Sequence, residues 1–323
     1  MNSTIDKNKD FSTPLRAMLR KPEVNVLMGL IAICVFLSIA SPYFFTARNI
    51  INVIRQSSII AILALGEAMV IISGGIDLSL GSLVGLTAVA AAWVARAGAP
   101  PLVTMAVALG IGLFVGVVNG LLVTKVKLPP FIATLGMMSI VKGFSLLITF
   151  GSPIHYDWTW LSFLGGGQIG TFPFSVILMI FVVFVASTFV KRTTYGRDIY
   201  AIGNNEKAAT LSGIRVDAIK IMVFSITGFL SGLCGLILMG QLSGSDAFYG
   251  NGYELDVIAA SVIGGISMTG GQGNMIGVVV GAALMAVLKN GFVLLAVPGY
   301  WQTVAVGVVI IAAVSIDSLR RSR

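Results

Sequence analysis

The run YGRDIYAIGNNEKAATLSG, residues 195–213, is a polar island in an oily chain, and its flanks decide the fold. On either side lie apolar runs, 174–190 and 219–241. Each is long enough to cross a bilayer as a helix, which takes about 17–25 residues. The island itself reads as a short helix outside the membrane. Asn204 or Asn205 can cap it, Glu206 suits its positive N-terminal end, and Gly213 can supply a left-handed closing residue. Ala208, Ala209 and Leu211 would then offer a small knob to another protein. A solvated loop helix with no partner is the plainer alternative.

Working outward, 56% of the 323 residues are hydrophobic, 11% are charged and 38 are glycine, which excludes an ordinary soluble domain and describes a polytopic membrane protein. The net charge of +8 does not point to nucleic acid, because the basic residues are scattered between apolar runs and no basic helix carries interleaved aromatics. Cys34 and Cys234 fall inside apolar segments, where a thiol behaves as a small hydrophobe. His155 is the only histidine, so one chain cannot build a His-based metal cluster, and neither metal nor cofactor is expected. The basic start followed by 24–40 faintly imitates a secretory signal, but the long leader and the spanning length favour an uncleaved anchor.

Ten spans are predicted, over 24–40, 57–73, 78–94, 102–123, 131–150, 174–190, 219–241, 255–268, 275–288 and 300–316. With a cytoplasmic N-terminus, sixteen of the 21 Lys and Arg fall inside, only Arg48, Arg55, Arg96 and Lys289 fall outside, and Lys142 lies within a span. That asymmetry satisfies the positive-inside rule and puts both termini, and the island, in the cytoplasm. The chain then divides into a tail over 1–23, a transmembrane region over 24–316 with a cytoplasmic loop at 191–218, and a basic tail over 317–323. Outside, the loop 151–173 lacks Lys and Arg but holds Tyr156, Trp158, Trp160 and Gly165 to Gly167. Its aromatics suit anchoring in the headgroup layer, with a docking surface for an external protein as the alternative.

Two local patterns recur. Gly75-Ile76-Asp77-Leu78 opens the third predicted helix and Gly252-Tyr253-Glu254-Leu255 the eighth; Asn119-Gly120 ends the fourth and Asn290-Gly291 follows the ninth. By the charge rule the copies lie on opposite sides, the signature of an inverted-topology repeat relating helices 2–5 to 7–10. Asp77 and Glu254 suit capping of their helices, with direct gating or substrate contact as the alternatives. Glu67, Asn119, Lys142, Gln241 and Asn290 are candidates for a translocation path, since polar groups at membrane depth are costly unless they face protein or water. For Glu67 and Lys142 an interhelical pair or snorkelling is the competing account. No phosphate-binding loop of the G-x-x-x-x-G-K-[ST] kind occurs, and Gly270-Gly271-Gln272-Gly273 lacks its lysine and hydroxyl. A transporter of this kind is either a passive channel or takes its energy from a partner.

The stretches SGGIDLSLGS (73–82), VNGLLV with KLPPFIATLG (118–136), GRDIYAIGNNEKAATLSGI (196–214), GYELDVIAASVIGGISMTGGQG (252–273) and KNGFVLL (289–295) carry a resemblance over nearly the whole chain. The chain resembles the permease subunits of bacterial ABC importers of the ribose, xylose, arabinose and galactoside type, in a superfamily that also holds branched-chain amino-acid permeases. The resemblance implies an all-α integral membrane protein with the type II-like permease fold in the bacterial inner membrane. It also implies a second permease copy or paralogue, two cytoplasmic ATP-binding subunits and a periplasmic sugar-binding protein, with ribose the first-choice cargo. The family's coupling helix maps onto 204–213, with Gly196, Arg197, Asn205, Glu206, Ala208 and Ala209 matching its pattern. A facilitator channel needing no ATP is the alternative. A membrane-embedded enzyme would need a convergent nucleophile, base or metal set that the sequence lacks.

Overall fold

The computed structural model describes residues 22–156 and 161–321. The N-terminal tail up to residue 21, Trp158 and Trp160, and the last two residues of the basic tail lie outside it. In chain order the helices are α1 (Pro22–Ala40), α2 (Ala47–Ile72), α3 (Leu80–Arg96), α4 (Pro101–Thr124), α5 (Pro130–Thr149), α6 (Leu161–Gly166) and α7 (Phe174–Arg192). They continue as α8 (Thr194–Asn204), α9 (Glu206–Leu211), α10 (Val216–Leu242), α11 (Tyr253–Ile263), α12 (Met275–Leu294) and α13 (Gly299–Arg321). Four two-residue strands make two small ladders, β1 (Ile154–His155) with β4 (Gly244–Ser245) and β2 (Gln168–Ile169) with β3 (Phe172–Pro173), both antiparallel. The protein is therefore an all-α membrane protein. Among the described residues, α2, α4, α5, α7, α10 and α12 are long and apolar enough to cross a bilayer. Shorter apolar stretches lie in α1, α3 and α13, and α11 is shorter still.

Helices α2 and α10 form the centre. From Ser58 to Ile72 every residue of α2 is buried, so this half, apolar on all sides but for Ser58 and Glu67, is enclosed by other helices rather than by lipid. Helix α2 packs on α10, α11 and α12, and α10 packs on α2, α3 and α4. Helix α3 also contacts α4 and α5, while α11 contacts α12 and α13. The tightest crossing is α4 with α10. There Gly112 and Gly116 face Gly228 and Gly232, and a Cβ on Gly112 or Gly228 would overlap the other's carbonyl oxygen. Small residues four apart on both helices let the backbones meet, which is how membrane helices gain dispersion contact without a hydrophobic driving force.

The structure departs from the sequence reading in several places. The polar island is two helices, α8 and α9. Helix α2 begins at Ala47, ten residues before the predicted span, and takes in Arg48 and Arg55; Arg55 bonds the Gly166 carbonyl that ends α6, at 2.9 Å. Helix α12 runs on to Leu294, so Lys289 and Asn290 are helical rather than in an outer loop. Helix α3 begins at Leu80, so Asp77 lies in the loop ahead of it. Tyr156 is buried and donates to the Met239 carbonyl at 2.9 Å, which makes it a clasp on the end of α10 and not a headgroup anchor.

Candidate functional site

The candidate path residues separate into four places. The first is a sealed polar knot at the end of α2 that meets α8. Glu67 is fully buried and accepts the Asp77 backbone N–H at 3.1 Å, which fixes the loop that follows Gly74 and Gly75. Asp77 Oδ1 then accepts both the backbone N–H and the hydroxyl of Ser79, at 2.8 and 2.6 Å. Asn119, one turn from the end of α4, donates to Ser79 Oγ at 2.9 Å and to Asp77 Oδ2 at 3.4 Å. The Asp77 carboxylate thus meets a free backbone N–H just ahead of α3, as a capping group does, and also ties the loop to α4. Glu67 takes Asp77 rather than Lys142 as its partner.

The second place is around the loop 246–254. Glu254 stands in the first turn of α11 and its Oε1 accepts the Gly252 N–H at 3.2 Å, so it too caps its helix. Its other oxygen is buried against Gly81, with no hydrogen-bond partner among the described residues. Lys142, from α5, reaches the same loop: its ammonium lies 3.5 Å from Asn251 Oδ1 and 5.4 Å from the centre of the Phe248 ring. The third place joins α2 to α12. Asn290 and Asn49 exchange two amide hydrogen bonds, at 2.7 and 3.0 Å, and both are buried. Beside them Lys289 is ion-paired to Asp256, whose side chain is 2% exposed. Gln241 is the fourth, on the last turn of α10 where that helix packs against α6 and apart from the other candidates among the described residues.

At the candidate coupling element, Asn205 and not Asn204 caps α9, its Oδ1 accepting the Ala208 N–H at 3.0 Å. Gly213 closes the unit with φ +84°, in the left-handed region where glycine carries no steric cost. Glu206 opens α9 and pairs with Lys220 of α10 at 2.7 Å. Arg197 is exposed on α8. Ala208 and Leu211 face outward, Leu211 with 89% of its surface open, while Ala209 is buried with Ile199 and Ile202 in the main core. Ala209 therefore seats the helix and takes no part in the knob.

Sequence reasoning missed what this element holds on its inner side. Asn204 Nδ2 donates to the Tyr200 carbonyl at 3.0 Å and to the Gly271 carbonyl at 3.4 Å, and the Tyr200 hydroxyl donates to the Gly273 carbonyl at 2.8 Å. Gly271 N–H in turn donates to the Ile72 carbonyl at 2.9 Å. A Cβ on Gly203 would overlap both Ile72 and Gly271, so three backbones converge where only glycine fits. Burial raises the Tyr200 phenol above its ordinary value and keeps it a donor. One short helix is thus bolted to the end of α2 and to the loop that starts α12. Gly196 fits α8 against the end of α7 in the same manner, its N–H capped by Thr193 Oγ1 at 3.1 Å.

A family model described as "Branched-chain amino acid transport system / permease component" matches residues 49–314. The chain belongs to this permease family. It is 40% identical over 303 residues to the ribose import permease protein of Escherichia coli K12, covering 93% of this chain and 94% of that one. It is 39% identical over 297 residues to the ribose import permease protein of Bacillus subtilis 168, covering 91% and 92%. To the galactose/methyl galactoside import permease protein of Escherichia coli K12 it is 38% identical over 317 residues, covering 92% and 94%. No solved structure matches it. Each of the three permease matches covers nine-tenths or more of both chains.

Proposed function

We propose that this permease is the membrane-spanning subunit of an ATP-binding cassette importer that takes up a monosaccharide, ribose or a related sugar, across the bacterial inner membrane. The observation that carries the reading is the end-to-end match to sugar import permeases, over nine-tenths or more of each chain. Energy comes from separate cytoplasmic ATP-binding subunits, cargo from a periplasmic sugar-binding protein, and the path from a second permease copy or paralogue beside this one.

In this reading α1, α3, α11 and α13 join the six longer helices to make ten spans, with α8 and α9 in the cytoplasm and both termini inside. The excess of Lys and Arg on that side supports the orientation. The helices α2–α5 and α10–α13 form the inverted repeat. Its support is the reciprocal packing, in which the first helix of each set lies on the third helix of the other, and the placing of Asn119 and Asn290 near the ends of α4 and α12. The transmembrane domain runs over 24–316, the coupling loop over 191–218, with tails at 1–23 and 317–323.

Closure of the ATP-binding subunits pushes α8 and α9 as one body, and the bolts at Ile72 and Gly271 pass the push to both halves at once. Glu67, Asp77 and Asn119 keep the inner loop of the first half in register, Asn290 does so between α2 and α12, and Lys142, Gln241 and Glu254 border the path. The test is Ala208→Glu, on the exposed face of α9. ATP-driven sugar uptake is lost while the amount of inserted permease is unchanged; uptake at the wild-type rate would refute the coupling assignment.

A further inference from the structure

Lys142 stands 12 residues from the start of α5, about 18 Å along a helix axis, and the whole of α5 is about 30 Å long. Its ammonium, and the loop residues it reaches, therefore lie inside the thickness of a hydrocarbon core of about 30 Å. Yet Asn251 is exposed, Phe248 has 54% of its surface open, and Lys142 is only half-buried. An ammonium and a carboxamide at that depth cannot be turned to lipid without a cost of several kcal/mol, so this face meets water or another protein chain, and the loose engagement described next favours water.

The chain has built this spot with care. The loop crosses α3 at Gly81 and Gly85, where a Cβ on Gly85 would come within 2.7 Å of the Tyr249 carbonyl oxygen. The Phe248 N–H is held by Asp246 Oδ1 at 2.7 Å, which fixes where its ring is presented. By contrast the groups at the tip are loosely engaged. Lys142 and Asn251 are 3.5 Å apart, at the limit of a hydrogen bond, and the ammonium rests on the ring at the distance of a weak cation–π contact.

We propose that Phe248, Asn251 and Lys142 form a transient contact for the neutral sugar in transit. A sugar ring has an apolar C–H face and a rim of hydroxyls. The Phe248 ring meets the first, while the Asn251 amide and Lys142 ammonium exchange their weak mutual bond for bonds to hydroxyl groups. A shallow site of this kind suits a path, where binding must be favourable enough to enter and weak enough to leave. The inference rests on the importer reading and adds an aromatic requirement that the reading does not contain.

The experiment uses the intact assembly in proteoliposomes, with sugar-loaded binding protein outside and ATP inside. Phe248→Leu keeps the apolar bulk and removes the aromatic face; uptake is expected to fall about three- to tenfold. Phe248→Tyr restores it to within about twofold, because the face returns. Wild-type uptake in Phe248→Leu, or no rescue by Phe248→Tyr, overturns the contact. So does Phe248→Cys cross-linking efficiently to the same position of a second permease copy, which would make this an interface. Failure of the wild-type assembly to show ATP-dependent uptake would instead sink the importer reading.

Discussion

Loops 73–79 and 246–254 each deliver a carboxylate to the start of a short helix, yet they are held in opposite ways. Asp77 is enclosed, with Glu67, Ser79 and Asn119 consuming its loop's polar groups inside the protein. Glu254 is half-buried, with one oxygen against Gly81, and the side chains beside it, Asn251 and Phe248, are exposed with Lys142 across from them. Similar sequence motifs therefore serve one loop that is clamped and one that, in the function proposed above, borders the path. If so, the first contributes stability and the second passage.

The largest effect expected lies just behind the open loop. Lys289→Met strands the buried Asp256 carboxylate, and loss of one partner of such a pair costs about 3 kcal/mol. Adding Asp256→Leu should recover most of that in thermal unfolding of the purified permease; no recovery would mean the pair is not what Lys289 supplies. Next, Asn119→Leu leaves Asp77 Oδ2 and Ser79 Oγ without their donor and should destabilise by about 2 kcal/mol. The matching change Asn251→Leu, at an exposed site, should stay within about 0.5 kcal/mol. Equal losses from the two would erase the distinction between the loops.

Smaller still, Tyr200→Phe keeps the ring and removes the bond to Gly273, worth about 1 kcal/mol. Its sharper readout is sugar moved per ATP hydrolysed, which should drop because α8 loses part of its grip on the loop leading to α12. An unchanged ratio would free Tyr200 of any role in coupling. Least of all, Glu206→Gln breaks a partly exposed pair with Lys220 and should cost under about 1 kcal/mol in unfolding, with the effect vanishing at high salt.

Long apolar runs made the membrane class and the positions of most helices legible, because a spanning segment has to be apolar whatever it packs against. Helix ends were less so. Arg48 and Arg55 hid the first ten residues of α2, and Lys289 hid the end of α12; Arg55 and Lys289 are tolerated inside their helices because the Gly166 carbonyl and the Asp256 carboxylate meet them. The island at 195–213 showed its cap, its acidic first turn and its closing glycine, all local features. Its grip on Gly271 and Gly273 did not show, because those partners lie 67 and 73 residues away and only packing brings them together. For the same reason Asp77 and Asn119 were each legible as polar residues in an apolar setting, but not as one knot.

In the function proposed above, this permease moves sugar only when a motor drives it. Proteoliposomes containing the permease alone, and others containing it with its ATP-binding subunits and binding protein, separate the possibilities by uptake of radiolabelled ribose. Accumulation above the external concentration is expected in the full assembly with ATP, and no flux above empty vesicles for the permease alone. Rapid equilibration of sugar through the permease alone, indifferent to ATP, would contradict it.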